Sequence, residues 1–179
     1  MSHDREILDS LSQLKAEEYS GTLWRTSWKT RNPLQAGIAG GRWSPKSTIG
    51  NPVIALYTSL EKNTSITELH YHLSQAPVFS SCAMVICKIA VENIRILDLS
   101  SAKLLTSLNI DLSNRKDTTQ SQKLGDASQF LGHQGIIIPC FRTKGTNCVL
   151  FLDTVETNQI KLISKQEINW PAWIKSKKV

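Results

Sequence analysis

The sequence predicts a single α+β domain, built around a mainly antiparallel sheet and spanning the whole chain, 1–179. Two patterns alternate along it: amphipathic segments with apolar residues at helical spacing, and short runs of β-branched and aromatic residues typical of strands. No linker, repeat or low-complexity segment interrupts them. A hydrophobic content of 40% in 179 residues is enough for one core without disulfides or metals. We expect this core at about 21–165, after an N-terminal helix and before a basic C-terminal tail at 170–179.

The apolar spacing predicts three helices, at 5–18, 65–73 and about 119–134. Ser2 and Asp4 are candidate caps for the first helix. Thr64 and Ser65 are candidates for the second, and Gly135 ends the third. Strands are predicted at 22–28, 53–59, 83–91, 94–99, 135–140, 147–152 and 159–168. The loop at 30–51, rich in glycine and proline, is of a length that is often functional in compact domains.

Composition argues against several classes of protein. No apolar run is long enough to cross a bilayer and no secretory signal pattern is present, so a soluble cytoplasmic protein is expected. None of the four cysteines forms a CxxC pair, which argues against structural zinc. The net charge of +6 suits an acidic protein partner or an anionic substrate such as a dinucleotide. Direct nucleic-acid binding is not expected, because much of the charge lies in the final residues and helix-turn-helix, RRM and KH signatures are absent.

Two arginines are candidates for binding an anionic ligand. Arg42 follows two glycines in the run Gly40–Trp43, where the backbone can turn tightly and approach a ligand. Its planar guanidinium matches the geometry of phosphate oxygens. The same four residues are also compatible with an ordinary loop, in which the glycines form a turn and the arginine is solvated. Arg25 lies between two tryptophans in a half-buried predicted strand and needs a partner there, since an unpaired buried charge is costly. That partner is either a carboxylate, or a phosphate or ribose in a cleft.

Tyr57 lies in a predicted strand, and Glu68 lies in the helix predicted after it. Tyr57 is either a core residue with its hydroxyl at the edge, or a flat platform for a planar aromatic ligand. Glu68 is either solvated on its helix or projects into a cleft at the end of the strand. A carboxylate is the group that N-glycoside cleavage requires, because its charge stabilises an oxocarbenium-like transition state.

The remaining candidates are two histidines and a cysteine. His70 and His72 point to different helix faces, so surface or supporting positions are favoured over a metal site. Within the block 135–151, Cys140 comes at a strand end, and a polar loop then leads to Asn147. No family-specific cysteine signature surrounds Cys140, so a small packed residue is favoured over a nucleophile.

Taken in order, these residues resemble the RES domain family, the toxin half of RES–Xre toxin–antitoxin pairs. The run GGRW, followed by the VIALYTS strand and the ITELHYH segment, is the most specific part, and the resemblance extends from about Trp24 to Leu152. The family is named for an Arg, a Glu and a Ser. The positions that match its pattern are Arg25, Arg42, Tyr57, Glu68 and Asn147, with Cys140 in the place of the family serine.

The resemblance implies an ADP-ribosyltransferase-like fold, with NAD+ as substrate in the cleft of a split antiparallel sheet and no metal. It implies a toxin that degrades NAD+ by hydrolysis or phosphorolysis and is held inactive by an Xre-type antitoxin, which carries the DNA-binding part. Arg25 and Arg42 are then expected to bind the pyrophosphate, Tyr57 to stack on nicotinamide, and Glu68 to engage the ribose hydroxyl. Catalysis is assigned to Glu68, Arg25 and Tyr57. The further pocket residues are Gly41, Trp43, Cys140 and Asn147.

Two other functions are compatible with the sequence. One is an ADP-ribosyltransferase that modifies a specific protein, since the chemistry at the ribose is the same. The other is a binding module without activity, for a ligand such as nucleic acid, which only the basic tail and Cys140 support. The sequence does not fix the oligomeric state, and a homodimer is compatible with it.

Overall fold

A computed structural model of the chain describes residues 4–37, 40–45, 53–74, 83–113 and 117–176. Its strands are β1 (Glu17–Trp28), β2 (Ala55–Ser59), β3 (Met84–Asp98), β4 (Gly135–Pro139), β5 (Thr146–Phe151) and β6 (Ile160–Glu167). Its helices are α1 (Arg5–Ser12), α2 (Lys62–Ser74), α3 (Ala102–Ser107), α4 (Thr119–Phe130) and α5 (Trp170–Ser176), with a 3-10 turn at Thr157–Gln159. The candidate cap Ser2, Cys82 and part of the loop 30–51 lie outside the described residues.

The sheet closes on itself. Within the described residues, the six strands join in the order β1-β2-β5-β4-β3-β6, and β1 also pairs with β3. Every pairing is antiparallel except that of β3 with β4, so the mainly antiparallel α+β domain is confirmed. The predicted split of the sheet is not seen, because the 15-residue β3 pairs with β1, β4 and β6 and connects strands that a split would separate.

Apolar side chains pack on both faces of the closed sheet. Alternation along β5 shows this directly, since Cys148 and Leu150 belong to one buried cluster and Val149 and Phe151 to the other. The first cluster is formed mainly by strand residues facing one another across the closed sheet. The second joins the opposite face to α1, α3 and α4. Most residues of β2, β3, β4 and β5 are therefore buried, whereas β6 has no buried residue.

The first helix is shorter than predicted. Asp4 caps it by accepting a hydrogen bond from the Ile7 amide at 3.3 Å, but α1 ends at Ser12 rather than 18. Glu17 and Glu18, expected in the helix, instead pair with Ile96 and Arg95 of β3. Hydrogen bonding to a strand more than seventy positions away thus decides the conformation of this segment against its local pattern.

The two strands predicted at 83–91 and 94–99 form one continuous strand, β3. Asn93 lies between them with a φ of 51°, a left-handed conformation that asparagine tolerates. The Ser20 hydroxyl accepts a hydrogen bond from the Asn93 amide at 2.8 Å. The β1–β3 register shifts nearby, between Tyr19 and Gly21. The irregularity therefore bends the strand without ending it.

The predicted C-terminal tail is helical over Trp170–Ser176. This helix, α5, packs on α2: the Trp173 ring lies 5.0 Å from that of His70, and its indole N–H donates to Asn63 at 3.4 Å. Other boundaries also differ, since α2 begins before its candidate caps and α4 ends at Phe130 rather than 134. No helix in the described part of the chain combines the length and apolar character that a membrane span needs.

Candidate functional site

A cavity of about 540 Å³, here called the cleft, opens between β1, β2, α2, the run Gly40–Trp43 and the turn that joins β4 to β5. This volume is in the range of small-molecule sites. The sequence-predicted residues that line it are Arg25, Gly41, Arg42, Trp43, Tyr57, Glu68 and Asn147. Cys140 does not line the cleft, but its thiol contacts Glu68.

Arg25 is a desolvated cation in the cleft wall. Its Nη1 donates to the Pro33 carbonyl at 3.0 Å, and within the described residues no carboxylate pairs with it. Burial lowers the pKa of Arg25 to about 10, which still leaves it charged at neutral pH. The sequence left two partners open for Arg25, a carboxylate or a phosphate or ribose of a ligand. The carboxylate is not found among the described residues. A half-buried guanidinium with one neutral protein acceptor is suited to an anionic ligand.

Tyr57 holds the run Gly40–Trp43 in a tight turn. The Trp43 amide donates to the tyrosine oxygen at 3.0 Å, and Ser44 Oγ lies 2.9 Å from the same atom. A Cβ at Gly41 would lie 2.3 Å from that oxygen, so only glycine allows this approach. Burial raises the pKa of Tyr57, so its hydroxyl stays protonated. The residue is 38% exposed and lines the cleft, which leaves ring surface for a ligand.

Helix α4 supports the other side of this turn. Gly125 lies so close that a Cβ there would be 1.8 Å from the Trp43 carbonyl oxygen, and the Gln122 side chain donates to the Gly41 carbonyl at 2.9 Å. Arg42 Nη1 donates to the Leu112 carbonyl at 3.3 Å while the residue lines the cleft. The backbone around Arg42 is therefore fixed from two directions, by Tyr57 and by α4.

Glu68 projects from α2 into the cleft, where both carboxylate oxygens are engaged. Oε1 accepts from the Cys140 thiol at 2.9 Å and from Asn147 Nδ2 at 3.5 Å. Oε2 accepts from Arg142 Nη1 at 2.6 Å. The side chain is 21% exposed, so its contacts are mostly with protein. The solvated surface position, the alternative left open by the sequence, is not what the structure shows.

The two strands next to Glu68 place its neutral donors. Asn147 opposes Ser59 in the β2–β5 register, and the Ser59 hydroxyl donates to Asn147 Oδ1 at 2.8 Å. That bond orients the amide so that its N–H₂ group faces Glu68. Burial, and then the contact with Glu68, raise the pKa of Cys140. A protonated thiol that donates to a carboxylate is therefore the stable form at neutral pH.

Comparison with known proteins identifies the family. The RES domain family matches residues 22–173, which is most of the chain. The chain belongs to the RES domain family. No curated protein sequence matches it. Among solved structures, a chain of the crystal structure of the M. tuberculosis MbcT–MbcA toxin–antitoxin complex has the same fold, with a TM-score of 0.84 and 20% sequence identity over 98% of this chain and 99% of that one.

The two candidate histidines of this RES domain, His70 and His72, occupy different environments. His72 lines the cleft, with Nε2 4.0 Å from Glu68 Oε2, and its pKa is lowered by burial and then by Arg142. His70 packs against the tryptophans of α5, away from the cleft. No three His, Cys, Asp or Glu side chains gather as metal ligands would in the part of the chain that the structure describes.

Arg142 is the residue of this RES domain that sequence reasoning passed over. It lines the cleft, forms an ion pair with Glu68, and lies with its guanidinium carbon 3.8 Å from the centre of the Tyr71 ring. In the sequence, Arg142 is one cation in a polar loop, and Lys144 is another, two positions later. Its distance of 74 positions from Glu68 left no local signal of the pairing.

Proposed function

We propose that this chain cleaves the nicotinamide–ribose bond of NAD+ in the cleft, as the toxin of a bacterial toxin–antitoxin pair acting in the cytoplasm. One observation carries the proposal: a carboxylate, two arginines and an aromatic ring, distant in sequence, line one cleft. Glu68 is the group suited to a cationic transition state at the ribose. Arg25 and Arg42 supply the positive charge that a pyrophosphate needs, and Tyr57 supplies a surface for a planar ring.

The proposed reaction is a substitution at the ribose C1′ carbon. The bond from C1′ to the nicotinamide nitrogen breaks, and nicotinamide leaves as a neutral molecule with the bonding electron pair. Positive charge develops on the ribose, and Glu68 stabilises it through the neighbouring hydroxyl. The acceptor, water or phosphate, then bonds to C1′ and releases a proton to solvent. These steps need no metal, and the cleft residues act by positioning and charge.

An ADP-ribosyltransferase-like arrangement of the cleft belongs to the same proposal. The closed sheet is compatible with it, because the cleft lies toward one end of β1, β2 and β5, where Arg25, Ser59 and Asn147 line it. We further propose an Xre-type antitoxin with a DNA-binding domain as the partner. The solved structure of the same fold is itself that of a toxin–antitoxin complex. Co-expression of the cognate antitoxin is expected to restore growth.

Replacement of Glu68 tests the proposal. Expressed alone in bacteria, the wild-type chain is expected to lower cellular NAD+ and stop growth, and Glu68→Gln to abolish both effects. With purified protein, the variant should release nicotinamide at least roughly a hundredfold more slowly, because the amide lacks the charge that the transition state requires. Binding of NAD+, measured by calorimetry, should change little. Glu92→Gln, on the exposed part of β3, is the matched control.

Arg42→Ala is expected to give the contrasting result. The pyrophosphate is present in both the substrate and the transition state, so losing its cation weakens binding and leaves kcat less affected. Nicotinamide release at the wild-type rate by Glu68→Gln would overturn the proposed mechanism. With labelled NAD+ and cell lysate, free ADP-ribose or its phosphate is expected. A labelled protein band would instead establish transfer to a protein.

A further inference from the structure

The turn between β4 and β5 is docked on the helix that carries Glu68. The Thr143 and Thr64 hydroxyl oxygens lie 3.2 Å apart, and the Thr146 amide donates to Glu61 at 2.9 Å. A Cβ at Gly145 would lie 1.9 Å from Thr64 Oγ1, so glycine lets the turn backbone approach this side chain closely. The turn and the start of α2 therefore form one packed unit, and side chains from the turn have fixed positions relative to the helix.

Arg142 extends from this turn onto one face of α2. Its guanidinium stacks on Tyr71 and donates to Glu68, two residues that lie three positions apart and so face the same way. The side chains of Arg142 and Glu68 are only 20% and 21% exposed, which limits screening of the pair by solvent. A planar guanidinium can stack and donate at the same time, whereas a lysine ammonium cannot match both contacts.

Counting acceptor sites on the carboxylate shows where a ligand can bind. A carboxylate has about four lone-pair positions, two on each oxygen. Cys140 and Asn147 occupy both positions on Oε1, and Arg142 occupies one on Oε2. His72 Nε2, at 4.0 Å, is beyond hydrogen-bond distance. Among the residues that the structure describes, one position therefore stays without a donor, on the oxygen that Arg142 holds.

We propose that Arg142 is a positioning residue, which fixes Glu68 so that Oε2 accepts the substrate hydroxyl while Oε1 is held by Cys140 and Asn147. The proposal rests on the proposed function, because the hydroxyl is that of the ribose being cleaved. A glutamate side chain has several rotatable bonds, and one stacked ion pair removes the rotamers that turn the carboxylate away from the cleft. The gain lies in the geometry of the transition state rather than in binding of the substrate.

Arg142→Ala is expected to lower kcat for nicotinamide release by about tenfold to a hundredfold, the range typical of partners that orient a reacting group. The Kd for NAD+ should change by less than about threefold, and Arg142→Lys should recover only part of the turnover, since it cannot stack and pair together. Lys144→Ala removes an exposed cation from the same turn and should behave as wild type. Wild-type kcat in Arg142→Ala would overturn the proposal.

Two double-mutant measurements separate positioning from a general structural role. In the Glu68→Gln background, Arg142→Ala should cause no further loss of turnover, because its effect passes through the carboxylate. A further loss equal to that in the wild-type background would contradict this. In urea unfolding, the midpoint shift of the double variant should be smaller than the sum of the two single shifts. Additive shifts would show that the pair is not coupled and would overturn the proposal. This second measurement needs no substrate, so it applies even if NAD+ proves not to be cleaved.

Discussion

At the scale of the residue, the protonation state of the Cys140 thiol decides whether it is a nucleophile or a hydrogen-bond donor. A nucleophilic cysteine needs a thiolate, but burial and the neighbouring Glu68 raise the pKa of this thiol. The protonated thiol donates a hydrogen bond to Glu68 Oε1 at 2.9 Å. A hydroxyl is a better donor than a thiol and occupies slightly less space. A serine, which the resemblance to the RES family predicts at this position, can therefore donate the same hydrogen bond to Glu68.

Cys140→Ser is accordingly expected to retain or raise the rate of nicotinamide release. Cys140→Ala removes the donor and should lower turnover by less than the loss in Glu68→Gln, because Asn147 and Arg142 still hold the carboxylate. Assays of both purified variants against the wild type measure this. Complete loss of activity in both would support covalent catalysis by the thiol and contradict the role assigned here.

At the scale of elements, α4 determines the position of Arg42, the cation in the Gly40–Trp43 turn. The contact at Gly125 leaves no room for a methyl group beside the Trp43 carbonyl, and Gln122 holds the Gly41 carbonyl. Neither residue of α4 lines the cleft. The helix therefore acts on the site through the backbone of the turn.

Gly125→Ala should force α4 and the turn apart. We expect a loss of about 1–3 kcal/mol in the free energy of unfolding, as is usual when a methyl group is added to a packed contact. Binding of NAD+ should weaken, because Arg42 moves with the backbone. Urea unfolding and calorimetry measure the two effects. Gly37→Ala is the matched control, since a Cβ there meets no atom of the described residues within 4 Å. An unchanged Kd in Gly125→Ala would show that α4 does not position Arg42.

At the scale of the whole molecule, a buried histidine makes stability depend on pH. His133 is 6% exposed, between the end of α4 and the start of β4, and burial followed by Arg95 lowers its pKa below 6.5. The unfolded chain then binds the proton more readily than the folded one. Stability is fully present above a pH of about 6.5 and decreases as the pH falls below it. His72 is shifted in the same direction.

The urea midpoint of the wild type should therefore be lower at pH 5.5 than at pH 7.5. His133→Gln cannot be protonated, so its midpoint should fall less over the same interval, whatever its stability at pH 7.5. Equal slopes in the two proteins would show that His133 is not the group responsible. His72→Gln provides the comparison with a more exposed histidine, 67% exposed, and should reduce the slope less.

The sequence by itself determined the composition of the domain and the set of residues worth testing. Helical spacing found α1, α2 and α4, and runs of apolar residues found every strand, because these signals repeat within a few residues. The short α3 lies in a segment for which no element was predicted. The run GGRW, the strand that follows and Glu68 also pointed to the RES domain family, since glycine, arginine and carboxylate at these spacings carry a chemical requirement that is visible locally.

Only the tertiary structure decided how these parts meet. Residues 17–19 became strand because Ile94–Ile96 pair with them, and the sheet closed because β1 found β3 as well as β2. Arg142 gained its partner in the same way, across 74 positions of sequence. Each of these contacts joins residues that are far apart along the chain, so no periodic pattern in the sequence indicates it. Their free energy depends on burial and geometry that exist only once the chain has folded.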